Sequence, residues 1–322
     1  MSINHSTTVS VIICCYTEER LQDIREAVAS VQAQTRRPEE IILAVDNNRA
    51  LYERLREEWA GEVAVVLNDT SRGLSATRNV GIAATQGDLI AFLDDDAVAE
   101  PEWLANLITL FEDPKVIAAG GQAILNWVKS RPMWFPEDLD WVVGGSFIGL
   151  PLYRRAVVQN PHGHNMCFRK EVFYQVGNFD SSVGRVGEGA QAGEEAELCL
   201  RIKRQLPDRK IIYEPSSLIH HKVPAARGRW RYLINRSYQE GICKARIHRI
   251  NQSYSVHPLS RETAYLNYLF LRAIPSRMGK FWQPEALAQA AAIVVCVAAT
   301  GVGYLLGRWK SQKPARTEQQ SA

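Results

Sequence analysis

The 322-residue sequence has no strong excess of charge of either sign. Its 38 Lys and Arg residues against 35 Asp and Glu residues leave a formal net charge of +3. A balance this small and this mixed does not predict a polyanionic partner, because such partners select clustered basic surfaces. Nucleic acid is therefore not an expected partner.

Two phosphate-binding motifs are also missing. No G-x-G-x-x-G follows the first apolar run, and the chain contains no G-x-x-x-x-G-K. These motifs build the glycine-rich loops of dinucleotide-binding enzymes and of P-loop NTPases. Their absence argues against both classes.

The sequence has six cysteines but no C-x-x-C pair, and most of the six lie in apolar runs. A free thiol in such a run behaves as a small hydrophobe, so buried structural thiols are expected. The first residues, MSINHSTT, lack the basic start and apolar stretch of a signal peptide. We therefore expect the catalytic part to lie on the cytoplasmic side.

One long apolar run lies near the end of the sequence. It extends from Ala286 to Leu306, is interrupted only by Gln289 and Thr300, and is long enough to cross a bilayer as a helix of about 20 residues. Trp282 and Trp309 flank it, as interfacial tryptophans do. The run predicts a single-pass protein of the cell membrane, although a buried Ala-rich core helix is the alternative.

The first part of the sequence alternates between short apolar runs and helical patterns. This alternation is typical of an open, mostly parallel α/β sheet. The predicted strands are Val9–Cys15, Ile41–Val45, Val63–Leu67 and Leu89–Leu93, and the predicted helices are Leu21–Gln34, Leu51–Trp59 and Ser75–Thr85. We expect a catalytic domain over 1–225, a helical juxtamembrane region over 226–283, a transmembrane helix over 284–307 and a polar tail over 308–322.

Three adjacent carboxylates, Asp94, Asp95 and Asp96, follow the last of these strands. Their mutual repulsion is offset when oxygen ligands bind a hard divalent cation, and Mg²⁺ or Mn²⁺ typically takes one or two carboxylates together with substrate phosphates. We expect these exposed strand-end carboxylates to precede a helix whose first turn contains Pro101 and Glu102. A solvated acidic turn that caps the helix is the alternative.

Polar residues follow the other strands at the same predicted sheet edge, where doubly wound sheets bind their ligands. They are Tyr16, Thr17 and Glu18 after the first strand, Asp46 to Asn48 after the second, and Asn68 and Asp69 after the third. Together they indicate a nucleotide pocket. Arg72–Asn79 opens the next helix, whose N-terminus favours an anionic group, and Arg78 is placed to face a diphosphate.

Later in the sequence, two further features carry possible chemistry. Glu194 and Glu195 begin a predicted helix, and a carboxylate there could abstract a proton from an acceptor hydroxyl, although an acidic first turn is more often only a helix start. His220 and His221 end a predicted strand after Pro215, and strand alternation turns only one of them inward. That imidazole is a candidate metal ligand or a hydrogen-bonded core histidine.

Over roughly Val9 to Val223 the sequence resembles family 2 glycosyltransferases with the GT-A fold. The motifs that carry the resemblance are V-S-V-I-I-C-C-Y-T-E-E-R, R-G-L-S-A-T-R-N-V-G, F-L-D-D-D-A, H-G-H-N-M-C-F-R-K, G-E-E-A-E-L-C-L-R and the late histidine. The resemblance implies a metal-dependent transferase, inverting in mechanism, that uses a nucleotide-sugar donor. A UDP-sugar is the expected donor and Mn²⁺ or Mg²⁺ the expected cofactor.

The resemblance also implies roles for individual residues. Glu195 occupies the position of the catalytic base, although Glu194 beside it leaves the choice between the two open. The remaining roles are metal binding by Asp94, Asp96 and His221, and nucleotide-sugar binding by Thr17, Glu18, Asp46, Asn68, Arg78, Asp95, Gly163, Asn165 and Arg169.

A narrower resemblance comes from R-P-M-W-F-P at 131–136, W-V-V-G at 141–144 and the C-terminal apolar run. These features are similar to archaeal-type glucosyl-dolichyl-phosphate glucuronosyltransferases, which implies UDP-glucuronate as donor and a lipid-linked sugar as acceptor. The alternatives are transfer of another hexose in exopolysaccharide or cell-wall synthesis, and a non-catalytic nucleotide-sugar-binding protein. A processive synthase is disfavoured, because one span cannot form a translocation channel.

Overall fold

The computed structural model describes residues 7–185, 193–251 and 260–311. These residues form two compact units. The first contains the described residues up to 131, from 137 to 185 and from 193 to 227, and the second contains 132–136 together with the described residues from 228 onward. The change of unit at 227/228 lies two residues beyond the expected end of the catalytic domain.

The first half of the first unit alternates strand and helix, as predicted. Its elements are β1 (Val9–Cys15), α1 (Leu21–Gln32), β2 (Glu40–Asp46), α2 (Arg49–Glu58), β3 (Ala64–Asn68), α3 (Leu74–Ala84) and β4 (Leu89–Asp94). The four strands pair in parallel in the order β3-β2-β1-β4. Their carboxyl ends therefore meet at one edge of the sheet.

The second half of this unit completes a nine-stranded sheet. Its elements are β5 (Ala97–Ala99), α4 (Trp103–Thr109), β6 (Val116–Trp127), β7 (Ala156–Val157), β8 (Asn165–Arg169), α5 (Glu171–Val176), α6 (Glu194–Gln205) and β9 (Lys210–Val223). The order continues β4-β8-β6-β9-β5, with β7 also on β9. The pairings here are mostly antiparallel, so the α/β fold is confirmed while the parallel part is confined to β1–β4 and the β6–β9 pair.

Two boundaries in the second half of this unit differ from the prediction. The strand β5 lies between the acidic triad and α4, and α4 begins only at Trp103, so Pro101 and Glu102 precede the helix. The last strand begins at Lys210, upstream of Pro215. Pro215 has no N–H to donate to a neighbouring strand. It is accommodated because the β6–β9 register shifts between Gly121 and Gln122, and residues at such an irregularity do not all form ladder hydrogen bonds.

Both faces of the sheet are covered, which explains why its strands read as continuous apolar runs. On one face Ile13 and Leu43 belong to a buried cluster that includes Trp103 of α4. On the other, Ile12 and Phe92 share a cluster with Ile202 of α6. The polar residues lie at the strand ends, beyond these two buried clusters.

The second unit is helical. Its elements are α7 (Trp230–Asn251), α8 (Ser260–Tyr268), a π-helical segment (Leu269–Ala273), α9 (Ile274–Met278) and α10 (Pro284–Ser311). Within the described residues, Pro284–Trp309 is the one helix that is long and apolar enough to cross a membrane, with a mean hydropathy of 2.1. The predicted tail over 308–322 lies outside the described residues beyond Ser311.

Candidate active site

The short strand β5 brings the acidic triad to a histidine that is distant in the sequence. Ala97 lies opposite His221 in the antiparallel β5–β9 pair, and the backbone N–H of Lys222 donates to the carbonyl of Asp96 over 2.9 Å. Because β5 follows β4 directly, Asp96 is held beside the His221 ring. His221 is 3% exposed, whereas His220 points away to Glu100 at 2.6 Å.

Asp94, Asp96 and His221 form a cluster in which one ligand atom of each lies within 4.8 Å of the others. Asp96 Oδ1 lies 3.2 Å from His221 Nε2, and Asp94 is the most exposed of the three. Two carboxylates and an imidazole fit a divalent cation such as Mn²⁺, which accepts oxygen and nitrogen ligands. The structure thus brings together the three residues expected to bind metal.

Asp96 is buried, contrary to the expected exposed carboxylate. Its side chain lies 3.0 Å from Arg20 and 3.5 Å from Arg227, and it is 3% exposed. Burial alone would raise the pKa of Asp96, but His221, Arg227 and Arg20 together hold it well below its usual range. The carboxylate is therefore ionised and balances a concentrated positive charge.

The neighbouring Asp95 has a different environment. It accepts a hydrogen bond from Arg20 Nη1 at 2.6 Å, and it is 3% exposed. Burial, supported by the carboxylates of Asp96 and Asp94, raises its pKa to about 7 even though Arg20 opposes the shift. Arg20 thus connects Asp95 to Asp96.

Three imidazole rings lie in a row beside the cluster. The ring centroids of His162 and His164 are 5.2 Å apart, and those of His164 and His221 are 5.1 Å apart. Gly144 closes the other side, since a Cβ there would lie 2.7 Å from the His221 ring, and its φ of +91° also favours glycine. This packing fixes the orientation of the His221 ring.

The ends of β2 and β3 form the edge expected to bind the nucleotide. Both oxygens of the Asp46 carboxylate accept from the Gly73 N–H, at 3.0 and 3.1 Å, and Asn68 Nδ2 donates to Asp46 at 3.2 Å. At the end of β1, Thr17 caps a single 3-10 turn, and the half-exposed Glu18 lies 3.6 Å from Arg54. Asp46 and Asn68 thus hold the loop before α3 against the sheet.

Arg78 is buried within the protein and does not face open solvent. Its Nη1 donates to Glu194 Oε1 at 2.8 Å, its Nη2 donates to the carbonyl of Gly163 at 2.9 Å, and it is 1% exposed. The guanidinium is engaged inside the protein, and its contact with a diphosphate stays a prediction. Arg78 joins α3 to the first residue of α6.

We expect Arg78→Met to lower the free energy of unfolding of the first unit by about 3–5 kcal/mol, because it leaves the Glu194 carboxylate buried and unpaired. Urea unfolding followed by near-UV circular dichroism measures the change. The double variant Arg78→Met/Glu194→Gln should recover part of the loss. An Arg78→Met midpoint equal to that of the wild type would contradict this role.

The three glutamates at the start of α6 have different environments. Glu194 is 5% exposed and pairs with Arg78, and Glu197 is 7% exposed and pairs with Arg201 at 2.7 Å. Arg201 also donates to the carbonyl of Val176, the last residue of α5, and to that of Asn178 just beyond the helix. Glu195 alone of the three is only half-buried.

Two residues expected near the donor sugar, Asn165 and Arg169, form hydrogen bonds within the fold. Asn165 is fully buried and accepts from Trp103 Nε1 at 2.8 Å, while its Nδ2 donates to Gln122 and Ser217. Arg169 lies opposite Leu89, at the far end of β4 from Asp94, and donates to the carbonyl of Val116 at 2.8 Å. Arg169 thus lies away from the acidic cluster, the polar atoms of Asn165 have partners within the fold, and donor binding by either residue stays a prediction. Gly163, by contrast, lies beside Arg78 and Glu194.

Sequence reasoning missed three residues that surround Asp96 and His221. Arg20 ends the Y-T-E-E-R motif, Arg227 precedes the second unit, and His164 lies in H-G-H-N. Of the three, only Arg20 could have been found from the sequence pattern, because it lies next to the polar residues that follow the first strand. Arg227 and His164 reach the site through β9 and β8, whose positions depend on long-range pairing.

Comparison with known proteins agrees with this geometry. Residues 10–177 match the family described as Glycosyl transferase family 2. The chain is 35% identical over 305 residues to glucosyl-dolichyl phosphate glucuronosyltransferase of Haloferax volcanii, covering 93% of this chain and 96% of that protein. It is 24% identical to the succinoglycan biosynthesis protein ExoM of Rhizobium meliloti, with 79% and 81% of the two chains covered.

Solved structures agree in fold. A mannosyltransferase of Pyrobaculum calidifontis in complex with GDP-Man and Mn²⁺ superposes with a TM-score of 0.58 at 19% identity, over 95% of this chain and 88% of that one. GalNAc-T7 with UDP, GalNAc and Mn²⁺ gives a TM-score of 0.53 at 18% identity, over 81% and 54%. Both resemblances drawn from the sequence motifs are confirmed.

Proposed function

Because this chain belongs to glycosyl transferase family 2 and is a glycosyltransferase, we propose that it transfers glucuronate from UDP-glucuronate to a dolichyl-phosphate-linked glucose. The observation that carries the choice of donor and acceptor is the similarity to the Haloferax enzyme along nearly the whole of both chains. The sugar is transferred with inversion at its anomeric carbon.

Asp94, Asp96 and His221 would hold the divalent cation. When bound, such a cation neutralises negative charge on the departing nucleotide diphosphate. Arg20 and Arg227 keep Asp96 ionised, and the row of imidazoles keeps the His221 ring in one orientation. These contacts support preorganised ligands, since a ligand held by its neighbours needs little rearrangement to bind.

Glu195 acts as the general base that takes the proton of the acceptor hydroxyl. A base must reach that hydroxyl and be ionised when it does so. Glu194 is committed to Arg78 and Glu197 to Arg201, whereas Glu195 keeps part of its side chain exposed on the same helical turn. This division of roles favours Glu195 over Glu194.

The helical unit supports a lipid-borne acceptor. Its α10 is apolar enough to associate with a bilayer, and a membrane-attached enzyme meets a lipid-linked sugar at a high local concentration. The catalytic unit must lie where its nucleotide-sugar donor is available. We therefore place this unit on the cytoplasmic side of the membrane. We include this orientation and membrane attachment in the proposal.

A donor panel tests the proposal. Membranes containing the protein are incubated with radiolabelled UDP-glucuronate, UDP-glucose, UDP-N-acetylglucosamine or GDP-mannose, and lipid-linked products are extracted. We expect label from UDP-glucuronate to enter the lipid fraction at least about tenfold faster than label from the other donors. Membranes with Glu195→Gln are the matched control. Preferential transfer of another hexose would instead favour a role such as that named for ExoM, in exopolysaccharide synthesis.

A further inference from the structure

The apolar helix α10 does not have lipid-accessible surface all round. It packs in parallel against α7, since Tyr238 lies beside Gly303 and Ala245 beside Gly307, with the residue numbers rising together. A Cβ at Gly303 would lie 2.0 Å from the Tyr238 carbonyl oxygen, so only glycine permits this approach. One face of α10 is therefore covered along much of its length.

The helix that covers this face is strongly charged. The ionised side chains of α7 are those of Arg231, Arg236, Glu240, Lys244, Arg246 and Arg249. Arg236 pairs with Glu240 at 2.9 Å, and Lys244 lies 3.3 Å from the same carboxylate. Arginine, lysine and acidic residues are the most costly to place in hydrocarbon, so α7 cannot accompany α10 across a bilayer cheaply.

The remaining helices of the unit extend the polar side. Lys244 pairs with Glu262 of α8 at 2.8 Å, and Arg277 of α9 donates to Gln289 of α10 at 3.1 Å. Charged and polar groups thus join α7 to α8, and α9 to α10. If α10 crossed a membrane, these ion pairs would enter the hydrocarbon with it.

The opposite face of α10 is a continuous apolar stripe. Its members are exposed and recur every three or four residues, which places them along one side of the helix: Leu287, Ala291, Val294, Ala298, Val302, Leu305 and Trp309. No charged residue occurs between 286 and 307. This face has no protein neighbour that would account for its composition among the described residues.

We propose that α10 lies in the plane of the membrane surface, with the apolar stripe in the lipid and with α7 on its opposite, water-facing side. This inference deepens the membrane attachment included in the proposed function, and it replaces the single-pass span expected from the sequence. Here the polar side that an interfacial helix needs is supplied by the charged α7, while α10 supplies the apolar face and Trp309.

The basic residues around the apolar stripe indicate that it binds a bilayer that contains anionic lipid. Arg272, Arg277 and Lys280 precede α10 and Arg308 lies at its end, against Glu285 as the acidic residue of its first turn. Phe281 and Trp282, which are 68% and 65% exposed, lie directly before α10. Basic and aromatic residues at both ends of an apolar face match the headgroup region, whereas a soluble partner would not require them.

Cysteine accessibility distinguishes the in-plane helix from a span. In the full-length protein, a cysteine at position 283 (Gln283→Cys) or one appended after Ala322 marks either end of α10. Sealed inside-out vesicles are treated with a membrane-impermeant PEG-maleimide, and the gel shift is compared with that of the parent protein, which accounts for the six native cysteines. We expect both ends to react equally with and without detergent. Reaction of one end only after detergent would overturn the proposal.

Flotation with vesicles tests the lipid-facing stripe. Purified full-length protein should float with phosphatidylcholine vesicles containing phosphatidylglycerol in the absence of any other protein. The variant Val302→Glu/Leu305→Glu should lose at least about 90% of this binding, whereas Arg249→Glu on α7 should not lose flotation to that extent. Unchanged flotation of the double variant, or a requirement for a second protein, would overturn the proposal. Transfer measured in detergent tests the enzyme activity separately.

Discussion

Replacement of Glu195 by glutamine is expected to lower kcat by about 10² to 10⁴ while nucleotide-sugar binding stays near the wild-type value. Glutamine keeps the size and polarity of the side chain but cannot accept the proton of the acceptor hydroxyl. Because Glu195 is only half-buried, we expect this change to cost little stability. Single-turnover transfer and equilibrium binding of the donor measure the two quantities.

The matched control is Glu194→Gln on the same turn of α6. Because Glu194 pairs with the buried Arg78, this variant should lose stability, yet retain kcat within about tenfold of the wild type at a temperature where it is folded. The opposite pattern, with Glu194→Gln inactive and Glu195→Gln active, would assign the base to Glu194. If neither change affected turnover, the general-base mechanism would be wrong.

Removal of divalent cations is the second change with a large expected effect. An excess of chelator should lower transfer by about 10³-fold or more, equivalent to several kcal/mol of transition-state stabilisation, and Mn²⁺ or Mg²⁺ should restore it. The physical basis is the cluster of Asp94, Asp96 and His221 at the ends of β4 and β9. Full turnover in excess chelator would contradict the assignment of this cluster.

Two variants separate metal binding from folding. Asp94→Asn should abolish Mn²⁺-dependent transfer with little loss of stability, because Asp94 is 30% exposed. Asp96→Asn should also lose transfer, but with a clear drop in the unfolding midpoint, because Arg20 and Arg227 lose their shared buried carboxylate. Equal midpoints for the two variants would show that these ion pairs do not stabilise the fold.

Sequence patterns predicted the first half of the first unit well, because each of its strands and helices has a recognisable local pattern. Strands β1, β2 and β4 are apolar runs buried on both faces, and β3 is a partly buried apolar run. The helices between them have their own periodicity, so each element can be predicted from its local sequence. Strand β5 has only three residues, and its pairing with β9 spans more than 100 positions of sequence. No local pattern indicates such a strand, although it is what brings Asp96 to His221.

The residues of the candidate site likewise differ in how well local sequence patterns predict them. Adjacent carboxylates after a strand indicated the metal cluster, but the burial of Asp96 depends on Arg227, which arrives from the end of β9. Asn165 and Arg169 stand close together in the sequence, yet they lie at opposite ends of β8, about 13 Å apart along an extended strand. Of the two, only Asn165 lies at the end of the sheet that holds the acidic cluster.

The configuration of the lipid-linked product tests the central claim most directly. Full-length protein in detergent is supplied with α-linked UDP-glucuronate labelled with ¹³C, Mn²⁺ and a dolichyl-phosphate-linked glucose, and the extracted product is examined by NMR. Direct displacement assisted by Glu195 predicts a new glycosidic bond in the β configuration. A product with a retained α linkage, or no labelled lipid at all from this donor and acceptor, would contradict it.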